Sequence, residues 1–444
     1  MSLKFLKLSQ GVLSATVAYP LAEKLEKRDI RAKFRELKKY YRLPFQQRKL
    51  IAEKRLIETI EFAAHHVPYY RDLFRNISFN VSQLKKDTRY LQEIPLLTKD
   101  IIREQGDRLL SAPLERVRHH VCKTGGSTGL SAHIFYDQIA ADYSSAVTLF
   151  ARRAIGKSKH KFETHFACRF PDDVPQKWPT REDFKCFAMN RNNIFFDSVD
   201  SQGLEEIWTA LKKNPAYLVH AHPSTVYALA CYIEKTQGTA KAFEVFESSG
   251  ELLEPYMREL ISKALQCRVV DRYGLAELGV MAYELSDQGG LQVLDSEGWP
   301  ESQPLENSSG DEQLIFTGFR NRLMPLIRYC TGDMAKVETL DDGFYLTNVV
   351  GRIHDIVPIN GVDHPTHHIQ DMLDHRVGGI QEFQIDLRSK PPILKIVPEP
   401  SANTEEIQSK VKEFWGQGFE VNFVGHDEFT RVGRHAKFRH VVTQ

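Results

Sequence analysis

The sequence predicts an α/β protein with a large N-terminal domain of mixed, mostly parallel sheets flanked by helices, and a small α+β module at its C-terminus. Three observations predict it. Strand-like and helix-like segments alternate from His133 to Asp271. Helical periodicity dominates residues 1 to about 66. The pattern changes character past Gly351-Arg352. At 444 residues the chain exceeds what one compact core usually holds, so two domains are expected, 1–351 and 352–444.

The elements follow in order. Leu56, Ile60, Ala63 and Val67 keep helical spacing until Pro68 ends the run, and Pro68-Tyr69-Tyr70 reads as a turn. The stretch Asp87 to Leu97 reads as irregular, and Thr98 as the N-cap of a new helix. Predicted strands are 133–137, 164–170, 193–197, 217–220, 243–247 and 268–271. Predicted helices between them are 140–154, 203–213, 224–235 and 254–265, with Pro255 in a first turn. Residues 285 to 312 look loop-rich, and strands resume at 313–317. Asp341-Asp342-Gly343 is the expected turn of a hairpin joining 334–338 to 344–347. The C-terminal module reads as strands near 381–387 and 393–397, a helix at 404–415 and a strand at 420–424.

Composition narrows the function classes. A hydrophobic fraction of 42% and a charged fraction of 26% are ordinary for a globular protein. The net charge of +1 gives no global field for nucleic acid or an anionic membrane. The basic run from Lys24 to Lys39 has acids interleaved and reads as solvated helix faces. Six cysteines lie far apart without a CxxC pair, which fits reduced thiols and a cytoplasmic location. Gly11 to Leu21 is too short and too punctuated to span a bilayer.

The loop Thr124-Gly125-Gly126-Ser127-Thr128-Gly129 packs three glycines and three hydroxyls into six positions. Backbone N–H groups there can form a nest for phosphate oxygens, although a plain surface turn has the same composition. Downstream, Asp271-Arg272-Tyr273-Gly274-Leu275-Ala276-Glu277 ends a predicted strand and opens a loop. Its tyrosine can stack on a purine, and its last carboxylate can hold Mg²⁺ beside phosphate. Arg328-Tyr329-Cys330-Thr331-Gly332-Asp333 places a carboxylate at a tight turn, where it can accept from two vicinal hydroxyls. Arg352 adds a guanidinium suited to ribose or phosphate. The basic stretch 431–439 contains Lys437. His364, His367 and His368 lack an accompanying cysteine and carry no zinc assignment.

In this order the motifs resemble those of the adenylate-forming, acyl-activating superfamily, and most closely its phenylacetate–CoA ligase-like and capsule-biosynthesis branch. The resemblance runs from about Tyr40 to the end. It implies that Thr124, Gly125, Gly126, Ser127, Thr128 and Gly129 bind the phosphates of ATP. It also implies that Ser249, Gly250, Glu251, Tyr273, Gly274, Asp333 and Arg352 complete the nucleotide site. Tyr273 would stack on adenine, Asp333 and Arg352 would fix the ribose, and Glu277 would hold Mg²⁺. Lys437, within an element resembling Gly-Lys-x-x-Arg, would be the catalytic lysine. Tyr136, His222, Pro223 and Ser248 are candidate acyl-pocket positions, and their mix of aromatic and small polar residues suggests an aryl or medium-sized acid. The implied reaction joins a small carboxylic acid to ATP, then passes the acyl group to a thiol or amine acceptor such as coenzyme A. The resemblance further implies a lid that rotates between the half-reactions and a homodimer through the N-terminal helices.

The sequence departs from the pattern in several places. Leu130 replaces a lysine after the loop, Ala276 replaces a hydroxyl, and Cys330 replaces an arginine. His354 stands at the hinge, and His435-Ala436 precedes Lys437. Two other readings compete: an adenylyltransferase that leaves AMP on a hydroxyl or phenolic acceptor, which the resemblance to this branch also allows, and a degenerate nucleotide-binding scaffold, which Ala276 and Cys330 suggest.

Overall fold

The computed structural model describes residues 3–123, 132–168, 180–196, 199, 201–286, 290–305, 312–352, 356–360, 362–365, 369, 372–430 and 439–443. Thr124, Gly125, Gly126, Ser127, Thr128, Gly129 and Lys437 lie outside these residues. So do Leu130, His354, His367, His368 and His435-Ala436, and the side chains of Arg352 and His364.

The predicted α/β alternation folds into a parallel sheet with the strand order Arg191–Phe196, Glu163–Cys168, Ala216–Ala221, Phe243–Ser248, Arg268–Val270. Helices Ser201–Lys213, Pro223–Gln237 and Pro255–Leu265 flank it, and their apolar faces meet the strands in a core containing Trp208, Leu229, Phe246 and Ile261. Local chemistry starts these helices where the sequence suggests. Pro255 occupies a first helical turn, and Asp137 Oδ1 accepts from Ala140 N–H at 2.8 Å to cap Gln138–Ala154. Thr98 caps its helix through Oγ1. Parallel register aligns Ala221 with Ser248 and Glu247 with Val270, so the carboxyl ends of these strands lie side by side.

Several elements differ from the expectation. Pro68 opens the helix Pro68–Asn76, because a first-turn proline loses no helical hydrogen bond. The helix Arg181–Met189, begun by a Thr180/Asp183 capping box, was not predicted. The stretch 285–312 is not all loop: Leu291–Val293 and Gly298–Pro304 are strands, the latter carrying two prolines at an edge of its sheet.

Beyond Asp271 the pairing becomes antiparallel. The order is Gly298–Pro304, Glu312–Gly318, Tyr329–Thr339, Phe344–Arg352, Leu291–Val293, Gly279–Tyr283, Arg272–Leu275. Asp341–Gly343 connects two of these strands, as the hairpin signal predicts. Residues 271–277 are therefore not a loop after a strand. Asp271 is the crossing from one sheet to the other, Arg272–Leu275 is an edge strand, and Glu277 sits in the turn before Gly279–Tyr283. Likewise Tyr329 and Asp333 lie on a strand, with Gly332 at φ +78° beside a register shift. This sheet packs on the helix Phe45–His66 around Leu56, Ile60, Phe316 and Tyr329.

Residues 356–443 enclose a separate core. Strands Ile380–Asp386, Ile393–Pro398, Glu420–Phe423 and Val441–Val442 form a mixed sheet, against which Ile407, Val411 and Trp415 of Thr404–Trp415 pack. Side-chain hydrogen bonds join this module to the parallel-sheet helices. Tyr256 O–H donates to Glu382 Oε2 at 2.6 Å, and Gln381 bonds the Tyr227 hydroxyl. Burial raises the Glu382 carboxyl above its ordinary value, and His440 opposes that rise.

Candidate active site

The candidate site forms where the parallel sheet hands over to the antiparallel one. Strand Phe243–Ser248 ends in Ser248-Ser249-Gly250-Glu251 beside His222 and Pro223, which open the helix Pro223–Gln237. Gly250 adopts φ +88°, and a β-carbon there would lie 2.5 Å from the His222 ring. Only glycine combines that backbone with so close a neighbour. Glu251 Oε2 accepts from the backbone N–H of Ser224 at 3.2 Å, in the first turn of the helix, where a carboxylate is favoured. Its other oxygen is 4.0 Å from His222 Nδ1. Thus Ser249, Gly250, Glu251, His222 and Pro223 form one cluster. Arg272 donates from Nη1 to Ser249 Oγ at 2.9 Å and joins them. Ser248 is buried beside Asp271, whose carboxyl is pushed up to about 6 by burial, with Glu284 adding to the rise.

The antiparallel sheet curls far enough to bring its edge strand back to Tyr329–Thr339. Tyr273 O–H donates to Asp333 Oδ2 at 2.7 Å, and Tyr329 O–H donates to Glu277 Oε1 at 2.9 Å. Gly274 allows this pairing, since a β-carbon there would lie 2.5 Å from the Gly279 carbonyl. Lys99 Nζ also reaches Glu277 Oε1, at 3.3 Å, and Glu277 is only 4% exposed at its side chain. The backbone delivers Lys99 there. Leu97 exchanges hydrogen bonds with Arg328 and Cys330, both at 3.0 Å, docking the segment beside Tyr329. Asp333 takes a backbone-to-hydroxyl bond from its own N–H to Thr331 Oγ1 at 3.2 Å, and it pairs across the sheet with Arg352.

A buried ionic network lies beneath these strand ends. Glu247 accepts from Arg152 Nη2 at 2.6 Å and from the Tyr283 hydroxyl at 2.5 Å, and His220 Nδ1 is 2.7 Å away. Arg152 also reaches Glu163 at 3.1 Å, and Lys157 meets that carboxylate at 2.8 Å. Burial alone would raise the Glu247 carboxyl, yet Arg152 and His220 hold it well below the usual carboxylate range. Burial also depresses His220 to about 3, so its imidazole is neutral, while Glu247 pulls the other way. Glu247 directly precedes Ser248 in the sequence but is not one of the candidate pocket residues. The structure instead makes it an internal counter-ion, because its strand position faces the helix carrying Arg152.

Tyr136 lies on the strand His133–Asp137, which pairs with His119–Lys123, and its ring stacks on His120 at 5.7 Å. Cys122, on the partner strand, is pushed up to about 11 by burial and by Glu277. This strand, which leads into residue 124, is thereby placed in the electrostatic neighbourhood of Glu277.

Sequence reasoning missed Lys99, Arg272, Tyr329 and the Arg152 network as working parts of the site. Arg272 and Tyr329 lay inside quoted motifs without a role. Lys99 follows a helix N-cap, where lysines on solvated faces are common, and nothing in its spacing marks it. Arg328, also within a quoted motif, is structural. It holds φ +49° and donates to Ile94 and Gln92 carbonyls at 2.5 and 3.0 Å. Cys330, at the position of the replaced arginine, directs Sγ to Gln313 Oε1 at 3.3 Å.

No protein-family profile matches the chain. Protein CapK of Staphylococcus aureus is 24% identical over 321 residues, covering 69% of this chain and 68% of that protein. The crystal structure of a 2-hydroxyisobutyryl-CoA ligase in the postadenylation state, bound to an acyl-AMP, superimposes with a TM-score of 0.65 at 17% identity. The match covers 90% of both chains. An open conformation of that ligase with acyl-AMP and CoA gives 0.57 at 18% identity, covering 90% of this chain and 93% of that one. This chain thus shares the overall fold of that CoA ligase.

Proposed function

We propose that the chain is an AMP-forming ligase that activates a carboxylic acid with ATP and transfers the acyl group to a thiol or amine, such as the thiol of coenzyme A. The observation that carries this reading is the paired arrangement Tyr273–Asp333 and Tyr329–Glu277–Lys99 at the sheet junction, within the fold of a CoA ligase. Asp333 would accept from the ribose hydroxyls, its orientation held by Tyr273 and Thr331, with Arg352 on the neighbouring strand. Gly250 and Gly274 leave backbone open where side chains would intrude. Buried Ser224 Oγ and Arg272 Nε find no hydrogen-bond partner among the described residues, which suits a polar ligand at the strand ends.

In the first step a carboxylate oxygen of the acid attacks the α-phosphorus, and the bond to the β-phosphate breaks with loss of pyrophosphate. In the second, a thiol gives up its proton and attacks the acyl carbon, and AMP leaves. Residues 124–129 would cradle the phosphates, and Lys437 would sit over the developing charge, roles that rest on the resemblance. Mg²⁺, when bound, neutralises charge on the departing pyrophosphate. Glu277 would suit it: Lys99 and Tyr329 engage Oε1, and among the described residues no contact is seen on Oε2, which would meet the cation. Among the described residues no three carboxylate, histidine or cysteine side chains gather to hold a metal, so phosphate and water would supply the other ligands. Residues 352–444 would act as the mobile lid, and its rotation must release Tyr256 from Glu382.

The test is pyrophosphate exchange into ATP with pooled carboxylic acids. The pools include aryl acids and short hydroxy acids, the latter because the structural neighbour acts on one. Exchange that depends on one pool and disappears in Lys437→Ala, with ATP binding retained, supports the assignment. Unchanged exchange in that variant removes Lys437 from the chemistry. A stable AMP adduct on a hydroxyl acceptor replaces the ligase reading with the adenylyltransferase one.

A further inference from the structure

The N-terminal helical rod carries an apolar face that the ligase reading does not use. It runs as helix Leu3–Leu13, a π-helical turn Ser14–Ala18 and helix Tyr19–Leu25. Leu8, Val12, Leu13, Val17, Leu21 and Leu25 are each between 48% and 74% exposed. Their spacing is helical except for the step of five residues from Val12 to Val17. That step falls across the π-helical turn, whose wider winding keeps both valines on one side. The opposite side is fixed to the body. Gly11 packs on the His160 carbonyl, Ser14 is fully buried, Tyr19 lies under Lys159, and Lys7 donates to the Pro215 carbonyl at 2.9 Å. The rod is therefore held with its apolar face outward.

The patch widens sideways. Helix Arg181–Met189 packs against the π-helical turn and exposes Phe184 by 65% and Phe187 by 39%. At the rod's end, Lys27, Arg28, Arg118, Arg181 and His120 surround a cavity of about 510 Å³, in which Glu26, paired with Arg181, is the one acidic lining residue among the described residues, while Arg28 also meets Asp142. Charge follows the same geography. Residues 1–40 contain ten Lys or Arg and four Asp or Glu, a sum of +6, whereas the whole chain is +1, leaving −5 for the rest.

We propose that this face docks the protein on the surface of an anionic phospholipid membrane. The apolar stripe and the two phenylalanines enter the headgroup boundary, and the basic cavity takes a lipid phosphate. Among the described residues no helix is long and apolar enough to cross a membrane, so the contact is interfacial. Charge selects this occupant over a second copy of the chain, because a two-fold contact through this face would set one +6 segment against another. The proposal does not depend on the ligase reading.

The test is co-sedimentation of the full chain with vesicles of phosphatidylcholine alone or mixed with phosphatidylglycerol, at low and high salt. Binding to the mixed vesicles should exceed binding to phosphatidylcholine by roughly tenfold or more and collapse at high salt. Leu21→Glu/Leu25→Glu, at exposed positions, should lose the binding while keeping the parent's thermal unfolding. Arg118→Gln/Arg181→Gln should lower it without removing the apolar contact, and this variant decides the matter if the first is poorly folded. Equal binding to both vesicle types, or no binding to either, overturns the proposal. So does a dimer in lipid-free solution that Leu21→Glu/Leu25→Glu converts to a monomer.

Discussion

Replacing Arg152 with methionine tests the account of the buried network and of the strand end it supports. Arg152 and Lys157 oppose Glu163 and Glu247, and the Arg152 and Glu247 side chains are 6% and 0% exposed. Methionine keeps most of the apolar volume but leaves the network one negative charge in excess. Among the described residues Glu247 then keeps His220 and Tyr283 at 2.7 and 2.5 Å, with Arg272 farther off. Breaking a buried pair in this way costs about 3–5 kcal/mol, because the surviving charge is left without compensation. The double variant Arg152→Met/Glu247→Gln restores neutrality, so it should be more stable than the single by at least ~1 kcal/mol. Urea unfolding, read by tryptophan fluorescence and far-UV circular dichroism, measures both. The strand holding Glu247 continues into Ser248–Glu251, so the single variant should also bind ATP more weakly. A single variant within ~1 kcal/mol of the parent refutes the reasoning, as does a double variant showing the sum of both losses.

Gly250→Ala should destabilise by about 1–2 kcal/mol from its backbone angle alone, and contact with His222 adds to that. Thermal unfolding and ATP titration would read both effects. Lys99→Met leaves Glu277 hydrogen-bonded to Tyr329 but without its cationic partner, so pyrophosphate exchange should fall by about tenfold or more and stability by about 3 kcal/mol. Acid sensitivity has a definite sign. The unfolded chain protonates its histidine near 6.5, whereas folded His220 waits until about 3, so this group makes stability rise with pH across that window. Glu163 and Glu247, both held low, act in the same direction below 4.5. Asp271, raised from 3.8 to about 6, opposes them. Urea midpoints measured against pH should therefore show a shallower slope in His220→Gln and a steeper one in Asp271→Asn.

Much of the parallel layer was legible in the chain. Strand–helix alternation, Pro255 in a first turn, and Thr98 as a cap are local signals, and each concerns residues within a few positions of one another. The order of the motifs was legible for the same reason: Tyr273, Glu277 and Asp333 each announce themselves within a short window. Pairing partners were not. Residues 298–304 look like loop because their prolines and polar residues suit an edge strand, a status set only by what lies beside them. The reading of 271–277 as a loop failed on the same point, since a four-residue strand has too few positions to show its period.

The sequence alone determined the helical start, the alternating middle, the altered C-terminal pattern and the residue types available for phosphate, ribose and metal. Tertiary structure decided which of them meet. It curled the antiparallel sheet until Tyr273 reached Asp333, docked Leu97 so that Lys99 reached Glu277, and turned Glu247 inward to Arg152. It also fixed the rod of residues 3–25 with Leu8, Leu13, Leu21 and Leu25 facing out. The physical reason is that period and composition describe a face of an element, whereas contact depends on which other face the fold brings against it.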